Sequence, residues 1–299
     1  MNRFLFRLIR FVWFRTPRNW HSTALFRAAG HYVYSRVTLS KKREQSHSTW
    51  FLRNVPMLEA ITALVKENFS ASDNVQLASI ACSTGAELYS QLYVIRSAYS
   101  EPSITAVGAD VSEGVVNVAK EAVYSLEQSS STGVGKFPSG EFEMAHIPDE
   151  HRSAMFEGTD QTKLRIRNWI RAGTSWLTAD ATDPALIDKI GLRDVVLANN
   201  FLGPMDDELA ESCLRNVSRL VRPGGFLIVD GIDLDVRMTV MKQLGYEPVL
   251  SRYEEIYWAD PTKQNWPWER WAHEPIDLKV PDWQFRYSAI FRKPLEDQE

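Results

Sequence analysis

Four polar clusters in this chain each follow a short apolar run, and their residue types suit the grip of a small nucleoside. Ser83-Thr84-Gly85 follows residues 75–81, and Asp110 closes residues 104–109. Asp180 comes after a run ending in Trp176-Leu177, and Asn199-Asn200 follows residues 194–198. Small residues at the first turn, Ala81, Ser83 and Gly85, let the backbone approach a ligand closely and aim helix N-terminal amides at it. An acid at the end of the next strand can accept both ribose hydroxyl hydrogens. The chain has no G-x-G-x-x-G and no G-x-x-x-x-G-K-[ST], which counts against NAD and ATP. A turn without a pyrophosphate-binding glycine pattern favours a nucleoside that lacks phosphates, and S-adenosyl-L-methionine is the common one.

The elements that must position these residues alternate. The patterns predict strands at 75–81 and 104–109, a helix at 86–98, and a helix through residue 122 capped by Ser112. Residues 129–140 read as a Ser/Gly loop, 156–160 as a turn and 163–169 as a strand. A strand ends at Leu177, and another covers 194–198. A helix over 206–221 is closed by Arg222-Pro223-Gly224-Gly225, and residues 226–229 form a further strand. A helix over 236–244 ends at Gly245, and a late strand covers 285–291. Such alternation gives a doubly wound, mostly parallel α/β sheet with helices on both faces. Ligands of such sheets bind at the carboxyl ends of the strands, where all four clusters fall.

At 299 residues and 44% hydrophobic, the chain is long enough for one large α/β domain or two small ones. Two cysteines, Cys82 and Cys213, exclude a disulfide framework and a Cys-based zinc site, so a reducing, cytoplasmic setting is expected. The net charge of −4 hides an asymmetry: residues 1–43 hold ten Lys and Arg and no acid. In residues 1–15 a helix limited by Pro17 places Arg3, Arg7 and Arg10 on one stripe among apolar neighbours. No apolar run exceeds four residues, which excludes a transmembrane span or signal-peptide core there. Three readings stay open: a helical layer packed on the body, peripheral contact with an anionic membrane through residues 1–20, or a removed transit segment. The acidic body argues against a nucleic-acid partner.

The first turn carries a resemblance. Ala81-Cys82-Ser83-Thr84-Gly85-Ala86-Glu87-Leu88-Tyr89-Ser90 resembles the A-[CA]-S-T-G-E-E-P-Y-S motif of CheR-type methyltransferases, the chemotaxis-receptor methyltransferases and their relatives. Ser46-His47-Ser48-Thr49-Trp50-Phe51-Leu52-Arg53 is similar to the family's N-x-T-x-F-F-R. Gly108-Ala109-Asp110-Val111-Ser112, Asn199-Asn200-Phe201 and Leu220-Val221-Arg222-Pro223-Gly224-Gly225 are similar to later family motifs in the same order. The resemblance covers residues 45–231. It implies a class I methyltransferase-like fold using S-adenosyl-L-methionine, with a small antiparallel insertion at 126–176 that in some members docks a receptor tail. Carried over by position, Thr49, Arg53 and Glu87 contact the methionine moiety and Asp110 the ribose. Asp180 and Ala181 flank the adenine, and Asn200 and Phe201 line the floor beside the transferable methyl. His47, Asn199, Ala86 and Leu88 depart from the family pattern, and Pro204 stands where the family has a tyrosine near the reacting centre.

On the acceptor side, a carboxylate needs no base, whereas a hydroxyl or amine would use His47. Arg53 can orient an anionic acceptor with its planar fork. Residues 254–283 hold the stretch richest in tryptophan and read as a loop, either a substrate lid or a segment burying its own rings. His273 and Glu274 show no metal spacing, and Cys82 reads as a small buried residue. The resulting expectation is a basic helical segment at 1–44 and a methyltransferase domain at 45–299. The acceptor is a protein carboxylate, a glycan or a small molecule rather than a chemoreceptor. The alternatives are a regulatory protein that binds the cofactor without transfer, or a true protein-glutamate methyltransferase.

Overall fold

The computed structural model describes residues 3–21, 23–40, 47, 49–126, 144, 147–159, 162–268 and 272–295. The central sheet has seven strands: β1 (Asn74–Ile80), β2 (Ser103–Asp110), β6 (Thr174–Thr178), β7 (Arg193–Leu197), β8 (Val221–Ile228), β9 (Glu247–Pro248) and β10 (Ile290–Arg292). Their order is β6-β2-β1-β7-β8-β10-β9, parallel from β6 through β8, with β10 antiparallel to both its neighbours. The chain winds outward from β1 in both directions, so the crevice between the ends of β1 and β7 is the point where a ligand is expected.

β1 is buried on both faces, as a central parallel strand must be. One face is covered by α4 (Val55–Asn68) and α5 (Ala86–Ala98), whose Phe51, Ile61, Leu88 and Leu92 neighbourhood forms one core. The other face carries α10 (Asp207–Ser218) and α11 (Leu234–Gln243), with Leu214, Val217 and Val240 fully buried. Asn54 accepts from the Met57 amide at 3.1 Å and so starts α4 beside the crevice. Asp206 accepts from Leu209 at 2.9 Å and starts α10 on the facing side. Each such cap satisfies an amide that the first helical turn leaves open.

Several sequence expectations need correction. Residues 156–160 are not only a turn: Phe156–Gly158 is strand β4, paired with β5 (Lys163–Ile166) and through it with β3 (Val123–Ser125). This three-stranded antiparallel sheet begins before residue 126, and Thr174–Thr178 belongs to the main sheet, so the insertion boundaries shift toward the N-terminus. Arg222-Pro223-Gly224-Gly225 does not close a helix but lies inside β8, where the pairing with β7 shifts register. A Cβ on Gly225 would sit 2.7 Å from the Asp194 carbonyl oxygen, so glycine permits the strands' close approach. The expected strand at 285–291 splits into a helical turn over Trp283–Tyr287 and β10, because Arg286 and Tyr287 both reach Glu274. The expected loop at 129–140 lies outside the described residues.

Among its described residues the basic head forms three helices, Arg3–Arg15 (α1), Arg18–His21 (α2) and Ala24–Ser40 (α3). It does pack on the body. Trp13 and Val33 are buried with Trp266, Trp268 and Ala272 in a separate apolar cluster. Gly30 lies directly under the Trp266 ring, and a Cβ there would collide with it. Arg27 donates to the Pro275 carbonyl at 2.5 Å and pairs with Glu274 at 3.3 Å, and His31 meets Glu274 at 3.1 Å. Residues 254–268 and 272–283, the described part of that stretch, are therefore not an open loop. They continue a helix over Tyr253–Ala259, contain a 3-10 turn over Pro261–Lys263, and bury Trp266 and Trp268 under the head. Trp271 lies outside the described residues.

Candidate active site

A cavity of about 720 Å³ opens at the carboxyl ends of β2, β1 and β7. His47, Thr49, Arg53, Ala81, Ser83, Glu87, Asp110, Asp180, Ala181, Asn200 and Phe201 all line it. Gly85 does not. Its φ of +86° starts α5, but its α-carbon faces Trp176, whose ring would lie 2.7 Å from a Cβ there. The smallness of Gly85 makes room for the tryptophan behind the turn, rather than for a ligand in front of it.

The turn after β1 is strained and firmly held. Ala81 and Ser83 take φ of +54° and +50°, values that non-glycine residues adopt at a cost of about 1 kcal/mol or more each. The Cys82 amide donates to the Ala109 carbonyl at 3.0 Å, and the Ser83 amide donates to Asp110 Oδ2 at 2.9 Å. Ser83 Oγ donates to the His47 carbonyl at 2.9 Å, tying the 47–53 segment over the turn. Asp110 Oδ1 accepts from the Ser112 amide at 3.0 Å. Both carboxylate oxygens are thus oriented by backbone, while each keeps a lone pair for a ligand. Burial, reinforced by Asp110, pushes the Cys82 thiol far up, so it stays protonated and is no nucleophile.

Glu87 sits on the first turn of α5. Asn199 Nδ2 donates to its Oε1 at 2.8 Å, and Ser79 Oγ donates to Oε2 at 3.3 Å. Burial raises this carboxyl above the usual glutamate range, against the opposing pull of those two bonds and of Arg53 and Lys263. Beside it the Asn199 Oδ1 is buried and has no hydrogen-bond partner among the described residues. A desolvated carboxylate next to an unmatched amide oxygen is short of a cation with several N–H donors. The ammonium of a bound amino acid supplies one. Asp180 is exposed at the far end, its Oδ1 occupied by the Thr182 amide and hydroxyl, both at 2.8 Å. Asn200 adopts φ of +64° and donates its amide to the Asp230 carbonyl at 2.8 Å. An ammonium-seeking end, an oriented carboxylate in the middle and a recess beyond it fit S-adenosyl-L-methionine in size and charge.

The facing wall is built from side chains. Arg53 donates from Nε to Asp260 Oδ2 at 2.8 Å and from a terminal nitrogen to Thr262 Oγ1 at 3.1 Å, and its guanidinium lies 4.0 Å from the Trp50 ring centroid. Lys263 is buried on Asp230 and lies 3.7 Å from Asp260. Asp230 also meets His273 Nε2 at 3.2 Å and Arg237 at 3.6 Å. Burial pushes the Asp230 carboxyl up, but Lys263, His273 and Arg237 outweigh it and hold the group well below the carboxylate range. Asp260 is lowered in the same way, burial being overcome by Arg53 and Lys263. His273 is stacked on Tyr257 with ring centroids 3.9 Å apart and bonded to that residue's carbonyl, a structural placement. Asp230, Asp260 and Lys263 escaped the sequence reading. Asp230 follows the fifth apolar run and was open to the same strand-end rule as the others. Asp260 and Lys263 carried no such signal.

The family model for the CheR methyltransferase SAM-binding domain matches residues 47–234, more than half of the sequence. The chain belongs to the CheR methyltransferase family. It is an S-adenosylmethionine-dependent methyltransferase with a class I methyltransferase-like sheet. The methyltransferase is 19% identical over 241 residues to chemotaxis protein methyltransferase 2 of Vibrio cholerae serotype O1, a match spanning 76% of this chain and 73% of that one. It is also similar to the solved structure of magnesium protoporphyrin IX methyltransferase from Synechocystis PCC 6803. That match has 13% identity and a TM-score of 0.36, covering 77% of this chain and 84% of the other. A third likeness, to the DszA carbon methyltransferase, has 11% identity and a TM-score of 0.35; it covers 59% of this chain and only 34% of that one. No helix among the described residues is long and apolar enough to cross a membrane.

Proposed function

We propose that this methyltransferase places its methyl group on a carboxylate of an acceptor other than a chemoreceptor. The observation that carries the reading is Arg53. Its guanidinium is fixed at the cavity wall by Asp260, Thr262 and the Trp50 ring, with two of its five N–H groups committed in those hydrogen bonds. The remaining donors form a planar edge that suits an anionic, two-oxygen group. The bound cofactor supplies a methyl group already activated on a sulfonium, so the protein's task is alignment and exclusion of water. In this reading Glu87 with Asn199 holds the ammonium, Asp110 the ribose and Thr49 the amino-acid end. Asp180 and Ala181 bound the base, and Asn200 with Phe201 forms the floor. Pro204 lines the acceptor half and brings no hydroxyl to the reacting centre, which supports an acceptor different from the receptor glutamate.

A hydroxyl acceptor is the second reading, and one observation favours it. His47 is the only histidine among the described lining residues, and imidazole is the side chain suited to take a proton from a hydroxyl. Chemistry separates the two. With methyl-tritiated cofactor and a pool of cell-derived acceptors, a methyl ester releases volatile label in mild alkali, and an ether does not. Alkali-labile transfer that falls at least tenfold in Arg53→Gln supports the carboxylate; alkali-stable label that falls in His47→Ala instead installs the hydroxyl reading.

A further inference from the structure

Helix α1 packs through one stripe and leaves another uncovered. Trp13 is 5% exposed, stacked on His21 at 4.6 Å and edge-on to Trp266 at 5.6 Å, and Ile9 packs against the same cluster. On the rest of the helix Leu8, Phe11, Val12 and Phe14 are 48%, 53%, 54% and 50% exposed. Trp20 and Leu25 continue the series at 54% and 79%. Single apolar side chains at a surface are ordinary, but four large ones on the outer side of one thirteen-residue helix are a patch. The patch carries its own cations. The Arg15 guanidinium lies 4.0 Å from the Phe11 ring centroid, and that of Arg10 lies 5.6 Å from Phe14. Both arginines are exposed, and no acid occurs in the first 43 residues.

We propose that the outer face of this head seats on an anionic lipid bilayer, with α1 lying in the plane of the interface. Rings at half exposure enter the headgroup–acyl boundary, and guanidiniums beside them meet lipid phosphates. Thirteen residues make a helix of about 20 Å, short of the roughly 30 Å hydrocarbon core, so it rests on the membrane rather than crossing it. A second copy of the chain fits the face poorly. A twofold contact there would press two acid-free heads together, each with ten Lys and Arg in its first 43 residues. Packing and membrane contact thus use different sides of one helix and do not compete. Because Trp266, Glu274 and the cavity-lining turn at Pro261–Lys263 belong to one connection, a bilayer holding the head also holds the acceptor wall at a fixed distance from the lipid.

The test is flotation of the full-length protein with phosphatidylcholine vesicles, with and without one-third phosphatidylglycerol. The expected result is recovery with the anionic vesicles, about tenfold or more above the neutral ones, and loss of that recovery as salt rises. Phe11→Ser with Phe14→Ser, and separately Arg10→Glu with Arg15→Glu, should each reduce recovery about tenfold. Circular dichroism and cofactor affinity should stay unchanged, because all four side chains are exposed. Full-length protein that stays with the buffer in the presence of anionic vesicles overturns the proposal. So does recovery that survives both double variants, or light scattering that shows the phenylalanine variant dissolving a dimer while no lipid is bound.

Discussion

On the cofactor wall, Asp110 is oriented by two backbone amides at 2.9 and 3.0 Å. On the facing wall, Arg53 is oriented by two side chains, Asp260 at 2.8 Å and Thr262 at 3.1 Å. The first arrangement comes with the sheet: once β1 and β2 pair, the amides of the turn have one place to go. The second depends on a buried network, Arg53–Asp260–Lys263–Asp230–His273, assembled from four separate stretches of chain. The difference suggests that the end of the cavity common to cofactor users is hard-wired by topology. The facing end, the acceptor wall of the proposed function, rests instead on buried side chains whose charges must be exchanged together to stay matched.

Substitutions can break or sharpen that contrast. The largest effect is expected for Lys263→Met, which leaves Asp230 and Asp260 buried without their shared cation. The loss should be about 3–5 kcal/mol of folding stability in urea titration, most of it absent when Asp230→Asn is added. Next comes Asp110→Ala, which removes the acceptor for two backbone amides and the proposed ribose contact. Cofactor affinity by calorimetry should fall roughly a hundredfold, equivalent to about 2.7 kcal/mol, with little change in acceptor KM. A loss confined to acceptor KM would invert the assignment of the walls.

Glu87 gives a smaller effect with a definite sign. The ligand-free protein holds this carboxyl above its ordinary range, so the ionised form is the disfavoured one. Its contribution to stability is greatest when protonated and declines as pH rises through the raised value. An arriving ammonium favours ionisation. Below the raised value, down to the lower one that the bound ammonium sets, binding should therefore release a proton, and affinity should increase with pH. Calorimetry in buffers of different ionisation enthalpy measures that proton. Glu87→Gln should abolish the release and weaken binding about tenfold, yet raise the melting temperature of the ligand-free protein at neutral pH. The smallest effect belongs to Thr262→Val, which removes one partly exposed bond to Arg53. About 1 kcal/mol or less is expected, seen as a modest rise in acceptor KM with cofactor affinity intact.

The same contrast explains what the sequence made legible. Ser83, Asp110, Asp180 and Asn200 stand at strand ends, and a strand end is a local signal of apolar run followed by polar residue. The helix at Ala86–Ala98 and the sheet around β1 were readable for that reason. The network around Lys263 was not: Asp260 is three residues away, but Asp230 is 33 away and Arg53 is 207 from Asp260, and no period links them. Residues 285–291 misled for a related reason. Their alternation imitates a strand, but a buried bond from Arg286 to Glu274 at 2.6 Å turns the first half into a helix. Gly85 misled differently: its place in the turn suggested closeness to the ligand, and the space it leaves is taken by Trp176.

The contact between Gly30 and the Trp266 ring has a practical and an evolutionary edge. Two positions near opposite ends of the gene interlock, so a side chain gained at 30 can be accepted only if 266 shrinks. Lineages should therefore exchange the two residues together or neither. For the same reason, a fragment that lacks only the head and starts at residue 47 would uncover Trp266 and Trp268. Such fragments should be recovered from inclusion bodies, while the untrimmed chain stays dispersed.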